Sequence, residues 1–385
     1  MSTTPVTVIH SASLVSGGES VSNAWVRFDG DVVSNCGAGD GWRRELPHTA
    51  VVTDAAGRLL VPGFIDLHCH GGGGASVDDG AEAISATLAV HRAHGTTRSV
   101  LSLVTAEIGE LEARLASIAR VAASDPLVLG SHLEGPFLDA GFRGAHDPAL
   151  LRAADAATVD RLLTAAAGTL RQITIAPEHE GAVEAIRALT DAKVAVAVGH
   201  TGADFEVASA AFAAGASILT HAFNGMRGIH HRAPGPVIAA MGADHVTLEV
   251  VNDGVHVHPD VVRLAFAGAP GRVALVTDAM AATDAADGAY RLGSLEVLVQ
   301  GGVARLRDGT IAGSTLTQDA ALRRAVHDSR IPLVDAVGAL TASPAAAIGR
   351  GHDLGHLRPG FAADAVLLDD GLDVRAVWGA GARLA

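Results

Sequence analysis

Lysine, cysteine and aromatic residues are scarce in this 385-residue chain, and each shortage limits the kinds of site, cross-link or core that the chain can form. Lysine occurs once, as Lys193, so a Schiff base or a carboxylated-lysine metal bridge could use only that residue. It precedes the strand-like run 194–198, which is the wrong end for a site placed where the strand finishes. Cys36 and Cys69 are too few for a disulfide framework, which fits a reducing cytosol.

The chain also lacks net positive charge and long apolar runs. Its formal net charge of −14 disfavours nucleic acid or an anionic membrane as the main partner, although a local cationic site could bind an anionic small molecule. No uninterrupted apolar run is long enough to span a bilayer. Residues 1–7 lack the basic and apolar regions of a secretory signal. We therefore expect a soluble, cytoplasmic protein with no nucleic-acid or membrane partner.

The sequence does have enough apolar residues for a large core, and strand-like and helix-like segments alternate along it. Hydrophobic residues make up 49% of the chain, and the 3% of aromatics leaves the core to Ala, Val and Leu. From about residue 59, apolar β-rich runs alternate with Ala-rich runs of helical period, which is typical of parallel βα units. Eight strands are predicted at 61–67, 97–104, 127–133, 172–176, 194–198, 217–220, 247–251 and 273–277.

This alternation predicts an α/β fold, a (β/α)8 TIM barrel over residues 59–353. An open, doubly wound parallel sheet would show the same alternation and remains an alternative. A hairpin is expected at 292–306 and a helix at 317–328. Residues 1–58 and 354–385 have the pattern of short β segments, so we expect the two ends to combine into one small β-sandwich domain.

Two histidines follow the first predicted strand. His68 and His70 are one residue apart, and residues i and i+2 of a strand point to the same face, so both imidazoles can reach one point. Neutral imidazoles that converge in this way suit a divalent metal such as zinc. The alternative is a pair of histidines in a polar loop, and other strand ends decide between the two.

Further metal-competent side chains follow other predicted strands. Glu134 comes after the third, His200 after the fifth, His221 after the sixth and Asp278 after the eighth. Singly, each has an ordinary interpretation, such as a helix N-cap for Asp278. Because barrel active sites gather at the C-terminal ends of the strands, their joint occurrence predicts a metal site.

The motifs that surround these residues resemble those of the amidohydrolase superfamily, and within it the N-acetylglucosamine-6-phosphate deacetylases. The resemblance runs from about residue 57 to the end. It rests on PGFIDLHCHG at 62–71, HLEGPF at 132–137, GHT at 199–201, THAFNGM at 220–226, RAPG at 232–235, DGVH at 253–256, TDAM at 277–280 and AGSTLT at 312–317.

The resemblance implies a catalytic site with one or two divalent metals. Glu134, with His200 and His221, would hold one ion, and Glu134 would take the bridging place of a carboxylated lysine. His68 and His70, with Asp278, would hold a second ion. Zinc is the expected metal, with iron, manganese or cobalt as alternatives. Asp278 would move a proton from water to the departing amine while the N-acetyl group of N-acetylglucosamine 6-phosphate is hydrolysed.

The resemblance also implies a set of substrate contacts. They comprise a segment near the acetamide, a turn and an arginine near the phosphate, and residues near the sugar: Ala145 and His146; Asn224, Gly225 and Arg232; and His256, Ile311, Ala312 and Gly313. In some members the arginine comes from the neighbouring subunit, so a homodimer is expected. The loop 138–144 does not match a family pattern, which leaves other N-acetyl amino sugars and other amidohydrolase reactions open. A catalytically inactive barrel that serves in assembly is a further alternative.

Overall fold

The computed structural model describes residues 6–44 and 46–385. Residues 1–5 and Glu45, which belong to the predicted N-terminal β segment, lie outside the described residues. The expectation that residues 1–7 form no secretory signal therefore falls mostly outside them as well. Among the described helices, none combines the length and the apolar character that a membrane crossing requires.

Eight parallel strands form one sheet in which spatial order follows chain order. Their bounds, from the first to the eighth, are Phe64–Cys69, Thr96–Val104, Val128–Glu134, Leu170–Ile175, Ala195–Val198, Ile218–Leu219, Thr247–Val251 and Val273–Val276. The eighth strand returns to the first, where the Asp278 N–H donates to the His68 carbonyl (2.8 Å) and the His70 N–H donates to the Ala279 carbonyl (2.8 Å). The predicted TIM barrel is confirmed, because a doubly wound sheet would reverse its strand order and leave two open edges.

Helices follow most strands and cover the outside of the barrel. They are Ala81–Ala93, Ile108–Ser124, Ala156–Ala166, Ala182–Asp191, Phe205–Ala213, Gly235–Met241, Pro259–Gly268, Gln318–His327, Leu333–Leu340 and Ala342–Ala347, with short 3-10 turns at Gly39–Arg43, Val77–Asp79 and Pro148–Leu150. Because helices cover one face and the barrel interior the other, the strands are buried on both faces, which explains their near-continuous apolar sequences.

The two ends of the chain share a second, mixed sheet. Its strands are Val6–Ser16, Glu19–Asp29, Val32–Ala38, Val51–Asp54, Leu59–Pro62, Ala365–Leu368, Val374–Gly379 and Ala382–Arg383. This sheet has its own core, with Phe28 and Trp378 among its members. The expected small β domain built from both termini is confirmed, whereas the limits drawn at 1–58, 59–353 and 354–385 stay a prediction.

The prediction of one continuous strand at 61–67 is wrong. Leu59–Pro62 pairs with Ala365–Leu368 in the mixed sheet, and the barrel strand begins only at Phe64. The chain changes sheets at Gly63, where an added Cβ would lie 2.2 Å from Oγ1 of Thr97. Glycine therefore permits a close crossing that a larger residue would block, and the apolar sequence on both sides hides the break.

A third, three-stranded sheet follows the eighth barrel strand. It consists of Gly288–Leu292, Leu295–Gln300 and Val303–Arg305, so the predicted two-stranded hairpin has one strand more than expected. A two-residue pair, Gly71–Gly72 with Ala75–Ser76, follows the first barrel strand. The three-stranded sheet packs on Met280 and Ala312, beside the C-terminal end of the barrel.

Candidate active site

Glu134 lies at the centre of a buried group of histidines at the C-terminal end of the barrel. Its Oε1 is 3.0 Å from Nε2 of His200 and 3.0 Å from Nε2 of His221. Its Oε2 is 3.3 Å from Nε2 of His70 and 3.3 Å from Nε2 of His146. The two carboxylate oxygens thus face different imidazoles, which is the arrangement that a bridging carboxylate requires.

His68, His70 and Asp278 form the second part of this group. Nε2 of His68 lies 3.0 Å from Nε2 of His70, and Oδ1 of Asp278 lies 3.5 Å and 3.4 Å from these two nitrogens. All three side chains are buried. The structure therefore brings the six predicted ligands into two adjacent clusters, namely His68, His70 and Asp278, and Glu134, His200 and His221.

These clusters fit divalent metal ions. Two ring nitrogens at 3.0 Å need a proton or a cation between them, and this distance recurs between Nε2 of His200 and Nε2 of His221. Ligand atoms about 2.0–2.1 Å from a tetrahedral zinc ion would lie about 3.3 Å apart, close to the spacing observed. The Nδ1 atom of His200 is 2.9 Å from the Phe142 carbonyl, so Nδ1 is the donor and the Nε2 lone pair faces Glu134.

Three of the six side chains project from strained backbone. His200, His221 and Asp278 have φ values of 47°, 26° and 49°, in or near the left-handed region that residues with a Cβ rarely adopt. Each lies two residues beyond the end of a barrel strand, where the chain turns and the side chain joins the buried group. Such backbone strain clusters at functional sites because the surrounding structure has to hold it in place.

The electrostatics keep both carboxylates ionised. Burial opposes ionisation of Asp278, but the charge of His68 and a hydrogen bond from His70 lower its pKa to about 2. Burial likewise opposes ionisation of Glu134, but the charges of His68 and His146 hold its pKa well below the usual value. Burial lowers the pKa of His146 despite the charge of Glu134 beside it. Ionised carboxylates are the form that binds a cation.

A cleft of about 220 Å³ opens above the clusters and contains most of the predicted substrate contacts. It is lined by Glu134, Gly144, Ala145, His146, His200, His221, Asn224, Gly225, His256, Asp278, Leu292, Thr310, Ile311 and Gly313. Gly144 and Gly225 have positive φ, and a Cβ at either would lie 3.0 Å from the His200 ring. His68 and His70 lie buried below, and Ala312 is buried between two lining residues.

His256 lines this cleft and is paired with a carboxylate. Its Nδ1 lies 2.7 Å from Oδ2 of Asp253. Although burial disfavours the imidazolium, the hydrogen bond and the charge of Asp253 raise the pKa of His256. Among the described residues that line the cleft, none is an arginine or a lysine.

The structure does not bring Arg232 to this cleft. Residues 227–233 form an exposed loop, and the backbone N–H of Arg232 is 3.3 Å from Nδ1 of His230. Arg143, in contrast, lines a second cleft of about 520 Å³ that shares Gly144, His146, Gly225 and Thr310 with the first. Its guanidinium also donates to the Ala140 carbonyl at 2.8 Å.

A larger cavity of about 810 Å³ lies elsewhere, between the three-stranded sheet, the 3-10 turn Val77–Asp79 and the helix Ile108–Ser124. Asp78, Arg114 and Arg291 are among its lining residues, but it contains none of the clustered histidines. We place the candidate site at the smaller cleft, because the convergent ring nitrogens and carboxylates are there.

The sequence analysis does not identify the residues that contact the Nδ1 atoms of the site histidines. Thr105 lies 2.9 Å from Nδ1 of His146, and Glu249 lies 3.4 Å from Nδ1 of His68. Asp253 was visible in the DGVH motif but was not given a role. A carboxylate within the apolar strand Thr247–Val251 was a usable signal for Glu249, whereas Thr105 had none. Cys69 packs against His91, with Sγ 3.2 Å from Nε2, and is not one of the six clustered side chains.

The chain is similar to known proteins over most of its length. A family model described as the amidohydrolase family matches residues 59–382. An N-acetylgalactosamine-6-phosphate deacetylase of Escherichia coli O157:H7 is 42% identical over 336 residues, which are 86% of this chain and 89% of that protein. An N-acetylglucosamine-6-phosphate deacetylase of Vibrio furnissii is 35% identical over 323 residues, 83% of this chain and 81% of that one.

A solved structure is similar to this chain over nearly its whole length. It is that of a variant of the N-acetyl-D-glucosamine-6-phosphate deacetylase of Mycobacterium smegmatis in complex with N-acetyl-D-glucosamine-6-phosphate. The two share a TM-score of 0.93 and 40% identity over 99% of this chain and 100% of the other.

Proposed function

Because the chain belongs to the amidohydrolase family, we propose that it hydrolyses the N-acetyl group of N-acetylglucosamine 6-phosphate to give glucosamine 6-phosphate and acetate. The observation that carries the proposal is the position of Glu134 at the base of a cleft: its Oε1 faces His200 and His221, and its Oε2 faces His70 and His146. The name of the relative at 35% identity supports the same reaction, and the name of the relative at 42% identity supports deacetylation of a 6-phosphorylated N-acetyl amino sugar.

The metal assignment forms part of this proposal. Glu134, His200 and His221 would hold one divalent ion, and His68, His70 and Asp278 would hold a second, with one or two ions per subunit. Zinc fits imidazole and carboxylate ligands best, and iron, manganese or cobalt would fit them as well. A bound divalent ion supplies Lewis acidity toward water and the amide carbonyl.

The protein's own groups carry the proton and hold the substrate. Asp278 accepts a proton from the attacking water on its carboxylate. It then delivers that proton to the sugar nitrogen as the C–N bond breaks, so water is consumed and acetate and a free amine result. His146, whose Nδ1 lies 2.9 Å from Oγ1 of Thr105, faces the acetamide from the cleft wall together with Ala145.

The sugar and its phosphate occupy the outer part of the cleft. Ile311, Ala312 and Gly313 form the segment beside the sugar, and Asn224 and Gly225 form the turn beside the phosphate. His256, whose pKa is raised by Asp253, adds positive charge to the cleft. A phosphate dianion also calls for a guanidinium, which binds it with paired hydrogen bonds.

We therefore propose a homodimer in which Arg232 of the partner subunit completes the phosphate site. This proposal is supported by the exposure of residues 227–233 and by the absence of arginine and lysine from the described lining of the cleft. We also propose a cytoplasmic location, which the two free cysteines, Cys36 and Cys69, support.

A second candidate substrate is N-acetylgalactosamine 6-phosphate, which differs from the glucose isomer only in the configuration at carbon 4. The relative at 42% identity bears that activity in its name, which favours this candidate specifically. The same metal clusters and the same Asp278 would serve both sugars, so the choice between them depends on the outer cleft.

One experiment tests these assignments together. Acetate release would be measured from both 6-phosphates and from unphosphorylated N-acetylglucosamine, before and after chelation, with the metal content determined on the same sample. We expect faster release from a 6-phosphate, loss on chelation and recovery with zinc. His200→Ala should lose metal and activity, and the control His352→Ala, at a side chain 73% exposed, should keep both. Metal-free protein that stays inactive after zinc is added would instead indicate an inactive barrel.

A further inference from the structure

Glu249 is a completely buried carboxylate that the proposed reaction does not use. It lies on the seventh barrel strand, directly below the metal-ligating histidines, with none of its surface exposed. Its Oε1 accepts a hydrogen bond from Nε2 of Gln172 at 2.7 Å. Its Oε2 lies 3.4 Å from Nδ1 of His68 and 3.4 Å from the backbone N–H of His221. A buried carboxylate is costly unless it is paired, so these contacts call for an explanation.

The contact with His68 fixes the orientation that a metal ligand needs. A carboxylate at Nδ1 accepts the ring proton there, which leaves the lone pair of Nε2 facing His70 at 3.0 Å and Asp278 at 3.5 Å. Partners of this kind, on the far side of the imidazole, set the tautomer and raise the basicity of the ligating nitrogen.

The four ligating histidines differ in this support. Nδ1 of His200 is held by the Phe142 carbonyl, whereas Nδ1 of His70 and of His221 are buried with no hydrogen-bond partner among the described residues. Each cluster thus has one anchored histidine. In the cluster of His68, His70 and Asp278, the anchor is Glu249.

As a carboxylate, Glu249 would also favour binding of the second ion. A second divalent ion beside the first is repelled by it, and Glu134 and Asp278 are the only carboxylates among the six ligands. Glu249 places a third carboxylate close to this pair, within a low-dielectric interior where charges interact strongly. The ion that benefits most is the one bound through His68.

We propose that Glu249 is a positioning residue that determines whether the second metal ion, held by His68, His70 and Asp278, binds. The inference rests on the proposed metal site. A purely structural role, in which Glu249 and Gln172 only satisfy one another across the barrel, would affect stability and leave metal binding unchanged.

Zinc titration of the metal-free protein separates the two roles, using calorimetry with a competing chelator and elemental analysis. In Glu249→Gln the amide keeps the shape but loses the charge and the strong acceptor. We expect affinity for the first ion to stay within about threefold, and affinity for the second to fall about 10–100-fold. Because no substrate is used, the result is independent of whether wild-type protein releases acetate, which tests the proposed function.

Asp319→Asn is the matched control. Asp319 is also a buried carboxylate beside a histidine, with Oδ1 3.1 Å from Nδ1 of His94, but neither residue belongs to the clusters. We expect this variant to melt at a lower temperature and to bind both ions with wild-type affinity.

Three results would overturn the inference: wild-type affinity for both ions in Glu249→Gln, equal weakening of both ions, or a wild-type protein that saturates with one ion. If Glu249→Gln does not fold, Gln172→Met provides a second test, since it removes the 2.7 Å donor and leaves Glu249 and His68 in place. It should weaken the second ion alone, by several-fold, and unchanged affinity would contradict the proposal.

Discussion

Asp278→Asn should reduce kcat about 10²–10⁴-fold, because an amide cannot take up and release the proton that the reaction transfers. Oδ1 of Asp278 lies 3.5 Å from Nε2 of His68 and 3.4 Å from Nε2 of His70, and the pKa of the carboxyl is lowered to about 2. The group is therefore ionised at neutral pH. The predicted loss corresponds to about 3–5 kcal/mol of transition-state stabilisation.

The backbone at Asp278 makes asparagine the informative substitution. Its φ of 49° is left-handed, which Asn tolerates, whereas alanine there would add strain of about 1–2 kcal/mol. The backbone hydrogen bonds from Asp278 N–H to the His68 carbonyl and from Ser314 N–H to the Asp278 carbonyl do not depend on the side chain. We therefore expect the variant to fold normally and to present one oxygen to the imidazoles.

The assay is the initial rate of acetate release at saturating substrate, with metal content measured on both proteins. Metal content matters because loss of an ion would slow the reaction for a different reason. A variant that keeps its ions and turns over within about tenfold of wild type would refute the role of Asp278 as proton carrier.

Other contacts give three further expectations. Asp253 raises the pKa of His256, so KM for the phosphorylated sugar should rise as the pH passes that pKa and His256 loses its proton. In Asp253→Asn this rise should begin at lower pH. If KM of the two proteins follows the same pH profile, the prediction is contradicted. Arg232→Ala should raise KM for the 6-phosphate about tenfold or more while leaving the unphosphorylated sugar little changed, and equal effects on both would refute a phosphate role. The pKa of Asp319 is lowered from 3.8 to about 2 by the hydrogen bond and charge of His94, against the effect of burial, so it stabilises the fold by about 2 kcal/mol above pH 4. That contribution is lost as pH falls toward 2, so urea unfolding of Asp319→Asn should approach wild type in acid, and a constant difference would argue against it.

The barrel could be predicted because its causes are local. Strands buried on both faces have continuous apolar runs, and the observed strand Thr247–Val251 coincides with the predicted 247–251. The same runs hid the break at Gly63, because Leu59–Pro62 and Phe64–Cys69 are both apolar although they belong to different sheets. Which sheet a strand joins depends on contacts with residues that are distant in sequence, such as Ala365–Leu368.

The candidate site, too, could be predicted from the sequence only in part. Side chains that follow barrel strands must gather at one end, so the six candidate ligands could be named from their positions, and the structure places them in two clusters. Glu249 could not be linked to His68, because 181 residues separate them and only the closed barrel brings them to 3.4 Å. Arg232 was assigned to the phosphate, but the cleft of a single chain does not reach it, so its role stays a prediction.

By itself, the sequence determined the repeated βα pattern, the small domain built from both termini and the identity of the metal-competent side chains, because periodicity and strand ends are properties of neighbouring residues. The tertiary structure alone decided how those side chains face one another. It set the left-handed turns at His200 and Asp278, the division of the Glu134 oxygens between two histidine pairs, and the carboxylate of Glu249 below them. These features arise only when eight strands close around a common axis and bring distant residues within a few ångströms.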